Sequence, residues 1–342
     1  MAKILRVSVV LPARNAAKSL PVALESLFCQ TLGDIEIIAL DDGSNDGGQT
    51  RSVLEAFAGS DPRLRPVFMP HQGIAATLNH GLALARAELV ARMDADDASL
   101  PDRLKRQADF LDANPEVGVA GCLVAHGGDI CKNAGYARHV AWANTLTRHE
   151  ELALGLYRDA PLPHPSVMFR RQVVLEHGGY GLGDFPEDFE LWLRLVSRGV
   201  RLAKVPQTLL VWNDPPGRLS RTSPRYAPEK FAAVKAPYLA QWLSRHNPHH
   251  PDVIVAGAGR ITRKRAEFLT GHGINITAYL DVDPNKIGRA VHGRPVLHRG
   301  DVPGPDECFV VSYLSGVGAA EDVGAFLESR EYRHGVSYLL AG

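Results

Sequence analysis

The sequence lacks an excess of either charge and any long apolar run, and each absence excludes a class of protein. Its 342 residues carry 38 Lys and Arg against 38 Asp and Glu. General nucleic-acid binders normally carry a basic excess, so we expect no nucleic-acid partner. The apolar runs are far shorter than the roughly 20 residues that span a bilayer, and the N-terminus lacks the apolar segment of a signal peptide. We therefore expect a cytoplasmic protein without a transmembrane segment.

Cysteine is also scarce, and its spacing excludes a disulfide scaffold. The four cysteines are Cys29, Cys122, Cys131 and Cys308. None forms a Cys-x-x-Cys pair, and small disulfide-stapled domains need a far higher density. We predict four reduced thiols.

The first part of the chain alternates strand patterns with amphipathic helix patterns. Strands are predicted over 4–11, 35–40, 67–69 and 89–93, and helices over 19–30 and 74–85. Strands that alternate with helices favour a mostly parallel sheet with right-handed crossovers. The sequence therefore predicts an α/β fold for this region.

The composition changes twice after this region. Residues 216–251 hold six Pro and six Lys or Arg but one Glu, which predicts a basic connector with a helix over 231–243. Residues 252–342 return to strand and helix patterns, with helices predicted over 260–270 and 319–329. We predict a first domain over 1–215 (halves 1–98 and 99–215), a connector over 216–251 and a smaller Rossmann-like domain over 252–342.

Three acidic clusters follow predicted strands or open a helix. Asp41 and Asp42 come directly after a strand, where ligands bind in open α/β sheets. A carboxylate there can accept from a base N–H or a ribose hydroxyl. Turn chemistry explains the same Asp-Gly-Ser sequence equally well.

The second cluster, Asp94-Ala95-Asp96-Asp97, also follows a strand. Alternate residues that leave a strand point the same way, so Asp94 and Asp96 can face one site. Carboxylate oxygens suit Mg²⁺ or Mn²⁺, and three adjacent like charges are costly in a purely structural turn. After it, Ser99 and Asp102 have the spacing of a capping box and predict the start of a helix.

The third cluster is Glu187-Asp188, ahead of an apolar helical run. The dipole at a helix N-terminus keeps a carboxylate ionised, which suits a general base. The same position suits simple complementarity with the dipole, so this pair alone leaves both interpretations open.

Five motifs in this order resemble family 2 glycosyltransferases of the GT-A fold, over about residues 5–215. They are Val-Ser-Val-Val-Leu-Pro-Ala-Arg-Asn at 7–15, Leu-Asp-Asp-Gly-Ser-Asn-Asp at 40–46, Ala-Arg-Met-Asp-Ala-Asp-Asp at 91–97, Gly-Gly-Tyr at 178–180 and Glu-Asp-Phe-Glu-Leu-Trp at 187–192. One departure is Thr77-Leu78-Asn79, where many members carry Ala-Arg-Asn, so an arginine contact to the donor is missing here.

The resemblance implies a role for each matching residue. The residues implied at the nucleotide-sugar are Pro12, Arg14, Asn15, Asp41, Asp42 and Asn79. Asp94 and Asp96 match the Asp-x-Asp pair, with Asp96 on a divalent metal, Mn²⁺ or Mg²⁺, and Asp94 on the ribose or metal-bound water. Asp188 matches the catalytic base of an inverting transfer, with Glu187 and Trp192 on the acceptor side.

Two further stretches resemble bacterial members of the family. His164 precedes the base, and a metal ligand, an acceptor contact or a packed core histidine all fit it. Arg218 and Arg221 could close over the donor diphosphate or belong to a basic linker. The chain lacks a Gln-x-x-Arg-Trp motif, which favours single transfer over processive synthesis.

We therefore expect transfer of one sugar from a UDP- or GDP-linked donor in bacterial surface-glycan assembly. The acceptor would be a glycan, a lipid-linked sugar or a peptide. A cytoplasmic location and a peripheral one at the inner membrane face both fit these acceptors. A sugar nucleotidyltransferase is the weaker alternative, because no Gly-rich loop follows the first strand. A second alternative is a non-catalytic scaffold that acts through the C-terminal unit.

The C-terminal unit itself carries a weak dinucleotide signature. Gly257-Ala258-Gly259 follows a strand and Asp281 follows the next, but Thr262 stands where the third glycine is expected. Nucleotide binding and a docking or homodimer role both fit this unit.

Overall fold

The computed structural model describes residues 5–129, 133–215 and 217–342. The chain divides into two compact units. The first comprises the described residues of Met1–Leu152 and Ala160–Ser223, and the second those of Ala153–Asp159 and Pro224–Gly342. The domain limits predicted at 215 and 251 stay a prediction. Cys29, Cys122 and Cys308 are free thiols, and Cys131 lies outside the described residues.

The elements run in the following order. Up to residue 223 they are β1 Val7–Ala13, α1 Leu20–Phe28, β2 Ile35–Asp42, α2 Gln49–Ser60, β3 Leu64–Met69, α3 Ile74–Leu84, β4 Leu89–Arg92, β5 Ala98–Ser99, α4 Arg103–Ala113, β6 Val117–Gly127, α5 Ala134–Thr145, α6 His149–Arg158, β7 Met168–Arg170, α7 Arg171–Glu176, α8 Glu187–Ser197, β8 Arg201–Asn213 and α9 Leu219–Thr222. After it they are α10 Pro228–His246, β9 Asp252–Ala256, α11 Arg260–Thr270, β10 Asn275–Asp281, β11 Ala290–Val291, β12 Arg294–His298, β13 Val310–Ser312, α12 Ala319–Ser329 and β14 Tyr338–Leu340.

The first unit is built on an eight-stranded sheet in the order β3-β2-β1-β4-β7-β6-β8-β5. Strands β3, β2, β1 and β4 are all parallel, as predicted. β7 then pairs antiparallel with both β4 and β6, and β6 pairs parallel with β8. The mostly parallel α/β fold is confirmed, with its antiparallel pairs in the half that follows the acidic triplet.

Strands β1 and β2 are buried along their whole length, as expected for parallel strands that are covered on both faces. Leu20, Leu24 and Leu27 of α1 pack into the core of one face. On α3, a Cβ at Gly81 would come within 2.5 Å of Val10 Cγ1, so glycine allows this helix to lie close to β1. Helix α2 was not predicted. It buries few side chains, so its sequence lacks a clear apolar face.

The predicted capping box at Ser99 and Asp102 is wrong. Ser99 belongs to β5 and pairs with Leu210 of β8, so α4 begins only at Arg103. Asp102 precedes that helix but makes no side-chain cap; its carboxylate accepts a hydrogen bond from Thr31 Oγ1 at 2.8 Å. Pairing with a strand distant in sequence prevents the local cap from forming.

The second unit holds a six-stranded sheet in the order β11-β12-β10-β9-β13-β14, parallel except for the β11–β12 pair. This order confirms a second, smaller Rossmann-like α/β region, and α11 and α12 have the predicted bounds. Helix α10 is longer than the predicted connector helix and buries Ala236, Leu239 and Leu243. No helix within the described ranges is both long and apolar enough to cross a membrane.

The residues of the weak dinucleotide signature are hydrogen-bonded to one another within this unit. Asp281 Oδ2 accepts a hydrogen bond from the backbone N of Ala258 at 2.9 Å. Lys286 Nζ lies 3.2 Å from the same oxygen. The carboxylate that would bind a ribose therefore holds its own glycine turn.

Candidate active site

The carboxyl ends of β2, β1 and β4 lie at one edge of the first sheet. Ala13 is in register with Asp41 of β2, and Met93, just after β4, donates from its backbone N to Val10 O of β1 at 3.1 Å. Pro12 is buried one residue before the end of β1, and Arg14 is exposed just after it. The strand order thus brings the first two acidic clusters to the same edge.

A hydrogen-bonded loop fixes Asp41 and Asn15. Ser44 donates from its backbone N and its Oγ to Asp41 Oδ1, at 3.0 and 2.5 Å. Asn15 has a φ of 52° and donates from its backbone N to Ser44 Oγ at 2.8 Å. Its side-chain amide exchanges two further bonds with Asn45. This network presents Asp41 as a preformed acceptor.

Asp42, at the end of β2, is hydrogen-bonded to the loop that follows β3. Its buried carboxylate accepts hydrogen bonds from His71 Nδ1 and from the backbone N of Gln72 and Gly73, at 2.9, 2.8 and 3.0 Å. The neighbouring Gly43 has a φ of +64°, and a Cβ there would lie 2.5 Å from the His71 N. Asp42 therefore organises the loop that leads into α3, and a nucleotide would have to compete for it.

The second cluster forms the only group of candidate metal ligands in the described part of the chain. One carboxylate oxygen from each of Asp94, Asp96 and Asp97 lies within 4.8 Å of the others. Asp97 is 1% exposed; its Oδ1 accepts from the Asn213 backbone N at 2.8 Å. Asn213 Nδ2 also donates to the carbonyl of Asp96 at 2.7 Å. The end of β8 thus braces this triad.

The charge balance of the triad fits a divalent cation. Burial and the charge of Asp94 raise the pKa of Asp96 to about 6. Burial, with Asp94 and Asp96, raises the pKa of Asp97 well above its usual range. Asp97 Oδ2 is buried with no hydrogen-bond partner within the described ranges. A hard cation would offset the repulsion among the three carboxylates and would give Asp97 Oδ2 a partner.

The two predicted arginines lie beyond β8. The Arg218 guanidinium lies 4.4 Å from the Trp212 ring centroid and 4.9 Å from that of Tyr136, and it donates to the Tyr136 hydroxyl. Its positive charge lowers the pKa of Asp96 against the effect of burial. Arg221 donates to Asp214 Oδ2 at 2.5 Å.

Asp188 lies in the first turn of α8, as predicted, and is half-buried. Its Oδ1 accepts from the backbone N of Phe189 at 2.8 Å. Burial, followed by the neighbouring charge of Glu187, raises the pKa of Asp188 to about 7, while Arg92 opposes the shift. A carboxylate of this pKa is deprotonated above neutral pH and still basic enough to accept a proton.

Asn79 holds the turn that leads toward α8. Its side-chain amide donates to the Tyr180 carbonyl and accepts from the Tyr180 backbone N, both at 2.8 Å. Gly179 has a φ of +66°, and a Cβ there would lie 2.5 Å from Asn79 Oδ1. Both ends of the Asn79 amide are thus engaged within the protein, where the sequence predicted a contact with the donor.

His164 and Trp192 are parts of one packed cluster. His164 Nε2 lies 2.9 Å from the Tyr180 hydroxyl, and the His164 ring meets Trp192 edge-on at 6.0 Å between centroids. Burial, with Arg92, holds the pKa of His164 well below its usual range, so the ring is neutral. Trp192 is 0% exposed and packs in the core instead of facing an acceptor. Of the alternatives for His164, this packing favours the core histidine.

Sequence reasoning missed two residues of this site. Asn213 lies in no motif, and only the sheet order brings it to Asp97. Arg92 is fully buried and pairs with Asp94. Two signals pointed to Arg92: its place in the motif at 91–97 and its charge in an otherwise apolar strand.

The model of Glycosyl transferase family 2 matches residues 8–179, which is half of the chain. The chain belongs to glycosyl transferase family 2. This match spans the strand ends with Asp41 and Asp94 and ends at Gly179.

The family assignment agrees with a relative and with two solved structures. The amylovoran biosynthesis glycosyltransferase AmsE of Erwinia amylovora is 30% identical over 209 residues, 59% of this chain and 74% of that protein. S. aureus TarS 1-349 in complex with UDP-GlcNAc has a TM-score of 0.54 at 18% identity, over 78% of this chain and 72% of that one. The mannosyltransferase PcManGT from Pyrobaculum calidifontis, in complex with GDP-Man and Mn²⁺, has a TM-score of 0.52 at 20% identity, over 80% and 70%. These likenesses confirm the GT-A fold of this family 2 glycosyltransferase.

Proposed function

We propose that this glycosyltransferase moves one sugar from a UDP- or GDP-linked donor to an acceptor hydroxyl, with inversion, in the assembly of a bacterial surface polysaccharide. The observation that carries the proposal is the pairing of a carboxylate triad at the end of β4 with a raised-pKa carboxylate, Asp188, at the start of α8. The amylovoran name of the relative supports polysaccharide biosynthesis. The UDP-GlcNAc and GDP-Man of the two similar structures support a nucleoside-diphosphate donor.

On the donor side, Asp41 would accept from the nucleotide, with Pro12, Arg14 and Asn15 lining the same strand end. Asp94 and Asp96 would hold Mn²⁺ or Mg²⁺. When bound, that ion supplies charge neutralisation for the leaving diphosphate. Arg218 and Arg221, whose guanidinium groups suit phosphate oxygens, would add to that neutralisation.

On the acceptor side, Asp188 would take the proton of the attacking hydroxyl. The acceptor oxygen forms a bond to the anomeric carbon while the bond from that carbon to the diphosphate oxygen breaks. The proton moves to the Asp188 carboxylate, and the diphosphate leaves with the electron pair. A single displacement of this kind inverts the anomeric centre without a covalent enzyme intermediate. We also propose that the enzyme transfers one sugar for each acceptor and that the acceptor is lipid-linked at the inner membrane face.

Release of nucleoside diphosphate from UDP-, GDP- and dTDP-sugars tests this function. The assay compares Mn²⁺, Mg²⁺ and chelator for the wild type, Asp96→Ala and Asp188→Asn, with the exposed Asp109→Asn of α4 as control. We expect release that needs metal, selects one nucleotide and is lost in both site variants. Absence of release together with absence of metal-dependent nucleotide binding would contradict the proposal and direct attention to the second unit.

A further inference from the structure

His71 lies in the loop between β3 and α3, at the same edge of the first sheet as Asp41. Met69, the last residue of β3, is in register with Asp42, the last residue of β2. A Cβ at Gly43 would lie 2.5 Å from His71 N and 3.0 Å from His71 Cβ, so the loops that follow these strands are in direct contact. The His71 side chain is nevertheless 50% exposed. A half-exposed imidazole thus borders the loop that presents Asp41.

Asp42 fixes the His71 ring and determines which of its nitrogens is free. Asp42 Oδ2 lies 2.9 Å from His71 Nδ1, and the backbone N of Gln72 and that of Gly73 donate to the same carboxylate. A carboxylate only accepts hydrogen bonds, so Nδ1 carries the proton. The other ring nitrogen, Nε2, forms no hydrogen bond with any residue that the structure describes. His71 therefore offers one oriented polar atom at an exposed position.

The strand order places this loop on the side of the proposed donor site that the nucleoside would occupy. β2 lies two strands from β4, and the carboxylate triad follows β4. Adjacent strands are about 4.8 Å apart, so the ends of β2 and β4 are separated by roughly 10 Å. A nucleoside extends from its diphosphate over a comparable length. A donor whose diphosphate lies at the triad can therefore reach Asp41 and His71 with its nucleoside.

We propose that His71 binds the nucleoside of the donor through Nε2, and that Asp42 is the positioning residue that holds its ring. The inference rests on the proposed function, because it concerns the donor of that reaction. With Nδ1 protonated, Nε2 of the neutral ring accepts a hydrogen bond, which a ribose hydroxyl or a base N–H can donate. Asp42, which the sequence predicted at the nucleotide, acts on it through His71.

Two amide substitutions separate binding of the nucleoside from support of the loop. Asparagine places its amide near the position of Nδ1, so His71→Asn can keep the bond to Asp42 but has no group at the position of Nε2. Glutamine places its amide near the position of Nε2, so His71→Gln keeps an acceptor there but has no group at Nδ1. His80→Asn is the matched control, because His80 is an exposed histidine of α3.

The readout is the dissociation constant of UDP, GDP and dTDP, measured by titration calorimetry of the full chain with Mg²⁺ present. We expect His71→Asn to weaken binding of the preferred nucleotide about fivefold, the effect of one lost hydrogen bond. His71→Gln should retain most of the affinity, and His80→Asn should retain all of it. Inorganic pyrophosphate lacks a nucleoside and should not distinguish His71→Asn from wild type.

Wild-type affinity in His71→Asn would overturn the inference, because the histidine would then serve only the loop. An equal loss of pyrophosphate binding, or a larger loss in His71→Gln than in His71→Asn, would overturn it as well. These outcomes leave the proposed function intact, since wild type still binds a nucleotide in each of them. If wild type binds none of the three nucleotides, the proposed function fails and the inference fails with it.

A double-mutant cycle tests the role of Asp42. Asp42→Asn should weaken nucleotide binding in the wild-type background and add little in the His71→Ala background, because the ring that Asp42 positions is then absent. A merely structural role in the loop would produce the same loss in both backgrounds. That result would overturn the assignment of Asp42 as the positioning residue.

Discussion

Replacing Asp188 with asparagine should stabilise the protein at alkaline pH while removing its base. Burial and the charge of Glu187 raise the pKa of Asp188 from 3.8 to about 7. That is a shift of about three units, and each unit corresponds to roughly 1.4 kcal/mol. The ionised Asp188 therefore lowers the free energy of unfolding by up to about 4 kcal/mol, as an upper bound because Glu187 shares the interaction.

The sign of the effect follows from proton linkage. Between pH 4 and 7 the folded protein holds a proton on Asp188 that the unfolded chain releases. The contribution of Asp188 to stability is thus full below pH 4 and is lost as the pH rises through 7. Asparagine does not titrate, so Asp188→Asn should match wild type near pH 4 and exceed it most at pH 8.

Denaturant unfolding at a series of pH values measures this difference. Glu116→Gln removes the same charge from an exposed position of the same unit and is the matched control. Transfer activity is measured on the same samples, and we expect Asp188→Asn to be more stable and inactive. A difference that does not grow from pH 4 to pH 8, or that Glu116→Gln reproduces, would refute the electrostatic reasoning.

Three further predictions concern the turn before α8 and the arginine beyond β8. Asn79→Ala should lower the free energy of unfolding by about 2 kcal/mol, because two hydrogen bonds to the Tyr180 backbone are lost at about 1 kcal/mol each; Asn79→Asp should lose about half of that. Gly179→Ala should cost about 1–3 kcal/mol in the same unfolding assay, more than Gly199→Ala, whose φ is also positive but whose Cβ would meet open space. Arg218→Ala should raise the KM for the donor several-fold, and an unchanged KM would remove Arg218 from the diphosphate site.

The sequence predicted those parts of the site that depend on local geometry. Asp41 and Asp94 come at the carboxyl ends of buried strands, and parallel strands bring these ends to one side of the sheet. The first turn of an amphipathic helix likewise places Asp188. The bounds predicted for α11 and α12 agree with the structure. The five motifs were sufficient to indicate the family.

Only the tertiary structure decided which groups those residues meet. Asn213 reaches Asp97 across 116 positions, and Asn79 reaches Tyr180 across 101. Residue type allows Asn79 to bind a donor or a backbone, and the fold brings its amide to the Tyr180 backbone. The same holds for Ser99, which can cap a helix but pairs with β8 instead. Local sequence fixes what a side chain can do, whereas long-range packing fixes its partner and, through burial, its pKa.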